Sequence, residues 1–367
     1  MLSLAPLIAL LLGPSLWLIL GRPRFLSPPP RSAKEGRISI IIPARNEEHR
    51  LGRLLSSLAE NQHPPHEILV VDDESTDGTA RVAGDLGATV ISTPPRPAEW
   101  QGKPWACETG ARAATGDWLL FLDADTWFEP GGFDKISHLT GDDRSVSSLC
   151  PHHCPGSAIE ELSAFFNLVM VAGSNAFRLR PSAQSESALF GQSLLISRAL
   201  YQEAEGHHSV RNQVLENFHL AGLIREKGGH CQVFLGRGVL AMRMFDQGLG
   251  QIWNSWKKGF TTGAKQTNRQ ALLLISLWLT GAMTILVSLP FALFYPHADP
   301  AFVPLLAAGY LFYAAQCGWA FRLVGRFSPL TALLFPIALT FYQVLFFTAL
   351  RDQKKGKTTP WKGRDVH

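Results

Sequence analysis

Two carboxylates one residue apart, Asp123 and Asp125, lie directly after the apolar run Trp118-Leu119-Leu120-Phe121-Leu122. Such a run reads as a buried strand, and a strand sends side chains i and i+2 to one face. Extended geometry carried through Asp125 would aim both carboxylates into one crevice. Carboxylates that close repel each other, and burying them is costly. A divalent cation relieves both penalties, and Mg2+ or Mn2+ is commonly held by one or two carboxylates completed by substrate phosphates. The plain alternative is a solvated Asp-x-Asp turn, so the pair is informative only together with its neighbours.

Those neighbours form a pattern. The β-branched run Ile38 to Ile42 ends in Pro43-Ala44-Arg45-Asn46-Glu47, and a second strand, Glu67 to Val71, ends in Asp72-Asp73-Glu74-Ser75-Thr76-Asp77-Gly78-Thr79. Between them Leu51, Leu54, Leu55 and Leu58 recur at helical spacing. Ser75 or Thr76 is expected to cap a helix continuing to Leu86. Ala88 to Ile91 reads as a short third strand, and a helix from Trp105 to Ala114 precedes the strand that reaches Asp123. Strands alternating with helices predict an α/β fold, a doubly wound and mostly parallel sheet. The polar clusters then fall at the carboxyl ends of strands, where open α/β sheets bind ligands. Farther on, Val146 to Cys150 is expected as a strand, Ile159 to Phe177 as an apolar helix that is core in the favoured reading and lipid- or acceptor-facing in the alternative, Ala188 to Ile196 as extended, and Val214 to Lys227 as a helix ended by Gly228-Gly229.

The ends of the 367-residue chain have a different character. Leu2 to Leu20 is an apolar run near bilayer-spanning length, with Arg22, Arg24 and Arg31 immediately after it. The positive-inside rule places the domain beyond the stiff Pro28-Pro29-Pro30 linker in the cytoplasm. Residues 249–263 mix Ile252, Trp253, Trp256 and Phe260 with Lys257 and Lys258, which suits an interfacial helix. Three more apolar segments occupy 271–294, 302–321 and 329–350. The last contains Pro336 and is expected as a re-entrant or interfacial hairpin, which keeps the basic tail (Lys354, Lys355, Lys357, Lys362, Arg364) in the cytoplasm. The expected division is a transmembrane helix (1–21), a cytoplasmic α/β domain (36–245), an interfacial helix (246–268), membrane segments (269–350) and a tail (351–367), in a multi-pass protein of the cell membrane. The formal charge of +4 is concentrated beside the apolar segments, which points to membrane lipids and away from nucleic acid. Five scattered cysteines suggest a reducing compartment without a disulfide framework.

The motifs Pro43-Ala44-Arg45-Asn46-Glu47, Val70-Val71-Asp72-Asp73 with Ser75 and Asp77-Gly78-Thr79, Gly102-Lys103, Gly116-Asp117 and Asp123-Ala124-Asp125, in this order, resemble the family 2 glycosyltransferases. These are GT-A fold enzymes that use nucleotide-diphosphate sugars, and the resemblance spans roughly residues 36–245. Gly102-Lys103-Pro104, the final Trp361-Lys362-Gly363-Arg364 and the flanking apolar segments look like a narrower branch. That branch holds carotenoid-acid, hopanoid-associated and ceramide glucosyltransferases, which act on lipid-like acceptors. The resemblance implies a UDP-sugar site formed by Pro43, Arg45, Glu47, Asp72, Asp73, Lys103 and Asp123. The carboxylates would accept from uracil or ribose, and Arg45 and Lys103 would meet the diphosphate or base. It also implies that Asp123 and Asp125 hold Mn2+ or Mg2+, offsetting charge on the leaving UDP.

An inverting transfer to a hydroxyl needs a base. Many relatives carry Glu-Asp at the start of a late helix with the Asp in that role, and the matching residues here are Glu216-Asn217. An amide cannot accept the proton, so Glu216 becomes the candidate, the plain alternative being a dipole contribution at the helix start. His207 and His208, just before that helix, are candidate acceptor or phosphate contacts, although lone histidines are more often structural. The Gln-x-x-Arg-Trp motif of polysaccharide-making relatives is absent, which favours one sugar added to a lipid over processive synthesis. A processive synthase and a non-catalytic scaffold, the latter supported only by Asn217, are the competing expectations. Cys150-Pro151-His152-His153-Cys154 crowds four ligand types into a spacing unsuited to closed zinc binding and is expected as a mobile loop near the acceptor entrance.

Overall fold

The computed structural model describes residues 4–27, 36–61, 63–180, 188–213, 216–246, 248–294, 300–355, 360–361 and 364–365. Pro28 to Arg31, Val214, Leu215, Lys357 and Lys362 lie outside them, as do the side chains of Lys258, Phe260, Trp361 and Arg364. The chain divides into two compact units. One comprises 24–153 and 187–244, and the other 1–23, 154–186 and 245–367. The continuous domain expected over 36–245 is therefore interrupted, because residues 154–186 belong with the flanking segments.

In the first unit, Ile38 to Ile42 carries no charge, as a strand buried on both faces must not. It forms β1 (Ile38–Ala44), and Ile40, Ile41 and Ile42 are completely buried. β2 (Glu67–Asp72), β3 (Thr89–Ser92) and β4 (Trp118–Leu122) run parallel to it, with Ala44 opposite Asp72. Leu51, Leu54, Leu55 and Leu58 of the Glu48–Ala59 helix are buried in the same core, each contributing roughly 1.5–3 kcal/mol. Downstream come β5 (Thr126–Phe128), β6 (Ser145–Cys150), β7 (His152–His153), β8 (Ser193–Ser197), β9 (His230–Leu235) and β10 (Leu240–Met242). The main sheet has the order β3-β2-β1-β4-β8-β6-β9, with β8 antiparallel to both its neighbours. A smaller sheet pairs β5, β10 and β7.

Several elements differ from what the sequence predicts. The strand predicted from Ala188 begins only at Ser193. Cys150 to His153 is no mobile loop: Cys150, His152 and His153 are buried in β6 and β7. Neither Ser75 nor Thr76 caps the Thr79–Asp85 helix. Asp77 Oδ1 accepts from the Thr79 backbone at 3.0 Å, and its Oδ2 accepts from the Glu48 backbone at 3.2 Å, so one carboxylate serves two helix starts. Burial would raise this carboxyl, but donors from Thr79 and Glu48 hold it below the ordinary range.

In the second unit, Gly13-Pro14 splits the N-terminal apolar run into helices Leu4–Leu12 and Ser15–Leu20. Tyr313 Oη donates to Ala9 O at 2.9 Å, Gln316 Nε2 to Gly13 O at 3.0 Å, and Trp278 Nε1 to Gln316 Oε1 at 3.0 Å. These bonds satisfy carbonyls and polar side chains in an otherwise apolar setting. The Ala164–Gly173 helix is core, as expected, with Phe165 stacked on Trp278 and edge-on to Phe321. Residues 329–350 form a short helix, Pro329–Leu333, and one long helix, Phe335–Lys354, rather than two arms of a hairpin. Among the described residues one helix, Arg269–Ala292, is long and apolar enough to cross a membrane, so the multi-pass arrangement expected from the sequence is not supported.

Candidate active site

The three parallel strands β1, β2 and β4 deliver the motif residues to one edge of the sheet. After β1, Asn46 adopts a left-handed backbone (φ 55°), and its Oδ1 accepts from Thr76 N at 2.8 Å while its own N–H donates to Ser75 Oγ at 3.0 Å. Asparagine tolerates that backbone better than most residues. The loops after β1 and β2 are thereby tied together. Arg45 Nη1 donates to Asp73 O at 2.7 Å and lies 3.3 Å from Glu74 Oε2, so the second loop already engages the guanidinium expected at the phosphates. Asp72 Oδ1 accepts from Ser75 N at 3.3 Å, Asp73 is buried, and Glu47 pairs with Arg50 at 3.3 Å.

After β4 the extended geometry stops. Thr126 N and Oγ1 both donate to Asp123 O, at 3.2 and 2.8 Å, closing a turn over Asp123–Thr126. The two carboxylates still influence each other: burial, then the charges of Asp123 and Glu47, push the Asp125 carboxyl up against the opposing pull of Arg50 and Lys103. Asp125 Oδ1 is a buried atom with no hydrogen-bond partner. An acceptor-only oxygen left bare beside a second carboxylate fits a divalent cation with hard-oxygen preference. Among the described residues no group of three or more His, Cys, Asp or Glu is placed to hold a metal ion, so a cation on this pair would need further ligands.

Lys103, from the first turn of the Gly102–Ala113 helix, links the remaining parts. Its Nζ lies 2.7 Å from Asp123 Oδ1 and 3.7 Å from Glu216 Oε1, and it donates to Gly191 O at 3.0 Å. Burial alone would lower this amine, but Asp123 and Glu216 more than offset it and hold the ammonium protonated. Glu216 and Asn217 open the Glu216–Glu226 helix, both are buried, and Asn217 Nδ2 donates to Glu216 Oε1 at 3.1 Å. Pro43, Lys103, Asp123 and Glu216 thus line one small pocket, while Arg45, Asp72 and Asp73 serve the loops beside it. No motif pointed to Gly191, where a Cβ would fall 2.2 Å from Asn217 Nδ2. His207 also lines the pocket, fixed by Tyr201, which no local pattern would have singled out.

The glycosyl transferase family 2 model matches residues 39–157. A 4,4'-diaponeurosporenoate glycosyltransferase of Staphylococcus aureus (strain USA300) is 32% identical over 332 residues, which cover 89% of this chain and 87% of the relative. This chain belongs to glycosyltransferase family 2. The counterpart of that relative in strain bovine RF122 is 31% identical over the same span. The glycosyltransferase has the GT-A fold, an α/β unit with a mostly parallel sheet. A mannosyltransferase from Pyrobaculum calidifontis, solved in complex with GDP-Man and Mn2+, aligns with a TM-score of 0.51 at 19% identity, over 94% of this chain and 99% of that one. At that identity the likeness is one of fold.

Proposed function

We propose that this glycosyltransferase moves a single hexose, glucose as the first choice, from a UDP-sugar to an apolar acceptor of the carotenoid-acid type, with inversion. The observation that carries the reading is Lys103 joining Asp123 to Glu216 beside the bare oxygen of Asp125. The acceptor class is that of the relative acting on 4,4'-diaponeurosporenoate. An apolar acceptor dissolves in the bilayer, and the Arg269–Ala292 helix supports an enzyme that works at a membrane surface.

Asp123 and Asp125 would hold Mn2+ or Mg2+. A bound divalent cation supplies charge that offsets the growing negative charge on the leaving diphosphate. Lys103 is protonated and stands where a diphosphate contacting Asp123's surroundings would need a cation. Glu216 takes the proton when the acceptor is a hydroxyl. A carboxylic acid acceptor, with an ordinary pKa near ~4, arrives ionised at neutral pH and needs no base. The absence of the second carboxylate at Asn217 is compatible with that case.

The test is transfer of label from radiolabelled UDP-glucose with Mn2+ in membrane extract, with Asp125→Ala as control. Label in a discrete organic-soluble product, lost in the control, supports the reading. Label in insoluble polymer would favour processive synthesis, and absence of transfer from any UDP-hexose would reject the donor assignment.

A further inference from the structure

His207 is buried, and its Nδ1 lies 2.9 Å from Tyr201 Oη. Tyr201 Oη is also 3.1 Å from Glu108 Oε2 and accepts from the His207 backbone N–H at 3.1 Å. Glu108 is paired in turn with Arg112 Nε at 2.9 Å. Proton counting along this chain fixes the imidazole. The carboxylate held by Arg112 only accepts, so the single phenolic proton of Tyr201 goes to Glu108. Tyr201 then offers only lone pairs to His207, and Nδ1 must carry the proton. Nε2 is left as the ring's acceptor nitrogen, with its lone pair.

The ring borders the same pocket as Lys103, Asp123, Glu216 and Asn217, and Phe121 flanks it edge-on at 4.8 Å. The space there is about 10 Å³, room for one water-sized group and not for an apolar tail. Burial, then the charge of Lys103, lowers His207 from 6.5 to about 3, so it stays neutral and is too weak a base to take a proton. A neutral, oriented acceptor in a slot of that size suits a hydroxyl. Asp123 and Lys103, which border the slot, are on the donor side of the reaction as proposed above.

We infer that His207 Nε2 accepts a hydrogen bond from a hydroxyl of the transferred hexose, making His207 a determinant of donor-sugar choice. The inference rests on the donor reading of Asp123 and Lys103. The phenol of Tyr201 acts as a positioning group that fixes the tautomer.

Binding separates this from the activity reading. UDP, UDP-glucose and a panel of monodeoxy UDP-glucoses are titrated into the full-length protein, wild type, His207→Phe, His207→Gln and Tyr201→Phe. One deoxy position should cost wild type about tenfold in affinity, the worth of one neutral hydrogen bond. That cost should vanish in His207→Phe, persist in part in His207→Gln, which keeps an acceptor near the Nε2 position, and shrink in Tyr201→Phe. UDP alone should bind all four proteins equally, which a merely structural role would not preserve. Equal penalties at every deoxy position in wild type and His207→Phe would overturn the inference, as would loss of UDP affinity in step with that of the sugars. If UDP-sugars bind no better than UDP to wild type, the donor reading itself falls. Turnover defects confined to the acceptor, with a flat deoxy series, would move His207 to the acceptor side and overturn it too.

Discussion

Lys103→Met removes a charge while keeping much of the side chain's volume, so it isolates what the ammonium does between Asp123 and Glu216. At an effective dielectric of about 20, unit charges 3–4 Å apart attract by about 4–6 kcal/mol. The Lys103 and Asp123 side chains keep 31% and 28% of their surface in water, which with desolvation reduces the net worth to about 1–2 kcal/mol. The metal-free variant should therefore be less stable by about that amount. The same ammonium competes for Asp123, which is also one of the two carboxylates offered to a divalent cation. Without it, Mn2+ should bind the nucleotide-free protein about tenfold more tightly, since ~1.4 kcal/mol is a factor of ten. On the proposed donor reading, UDP-glucose affinity should fall, because a cation assigned to the diphosphate is lost. Calorimetric titration of Mn2+ with and without UDP reads both effects. Unchanged or weaker Mn2+ binding in Lys103→Met would refute the competition for Asp123.

Asp125→Asn should leave the melting temperature of the metal-free protein no lower, because an amide ends the burial of a strained charge, yet reduce Mn2+-dependent transfer by at least about a hundredfold. Glu216→Gln should cost about 100-fold or more with a hydroxyl acceptor and far less with a carboxylic acid, measured as kcat/KM for matched alcohol and acid acceptors. Gly110→Ala should lower the melting temperature: its Cβ would fall 2.5 Å from Ile41 Cγ2 and 2.8 Å from Val71 Cγ2, and the overpacking penalty of about 1–3 kcal/mol exceeds the ~1 kcal/mol gained in helix propensity. Because that helix carries Lys103, transfer should weaken as well. Below pH 6.5 the unfolded chain protonates His207 while the folded protein, held near 3, does not. This group should therefore make the fold progressively less stable as pH falls below 6.5, a dependence that His207→Gln removes in denaturant titrations.

The parts of the site legible in the sequence are those that local pattern encodes. A continuous apolar run of period-independent burial announces β1 and β4, and the polar residues that end each run announce the edge at which Asp123 and Glu47 gather. What was not legible depends on contacts distant in sequence. Lys103 finds Asp123 and Gly191 only because β8 pairs with β4 in the reverse direction, and no spacing within either segment encodes that. The turn at Asp123 is closed by the backbone N–H and hydroxyl of Thr126, which replace the extended continuation. The Tyr201–His207–Glu108 chain joins a helix residue to groups 6 and 93 positions away. The apolar helix around Phe165 was legible as core, but not which unit's core it joins, because burial pattern carries no partner identity.

That last feature bears on how the chain is made. Phe165 emerges from the ribosome more than a hundred residues before Trp278 and Phe321, which pack on it, and Phe166 emerges about ninety residues before Trp256, which stacks on it. At about 5–20 residues per second, the earliest of these partners is several seconds behind. For the first part of that interval the unit formed by 24–153 and 187–244 is also unfinished, since β9 and β10 have yet to be added. A nascent chain in this state presents an uncovered aromatic surface, and a fragment ended at Met244 would present it permanently. The expected consequence is a lower soluble yield for that fragment than for the full chain, measured by expressing the two side by side.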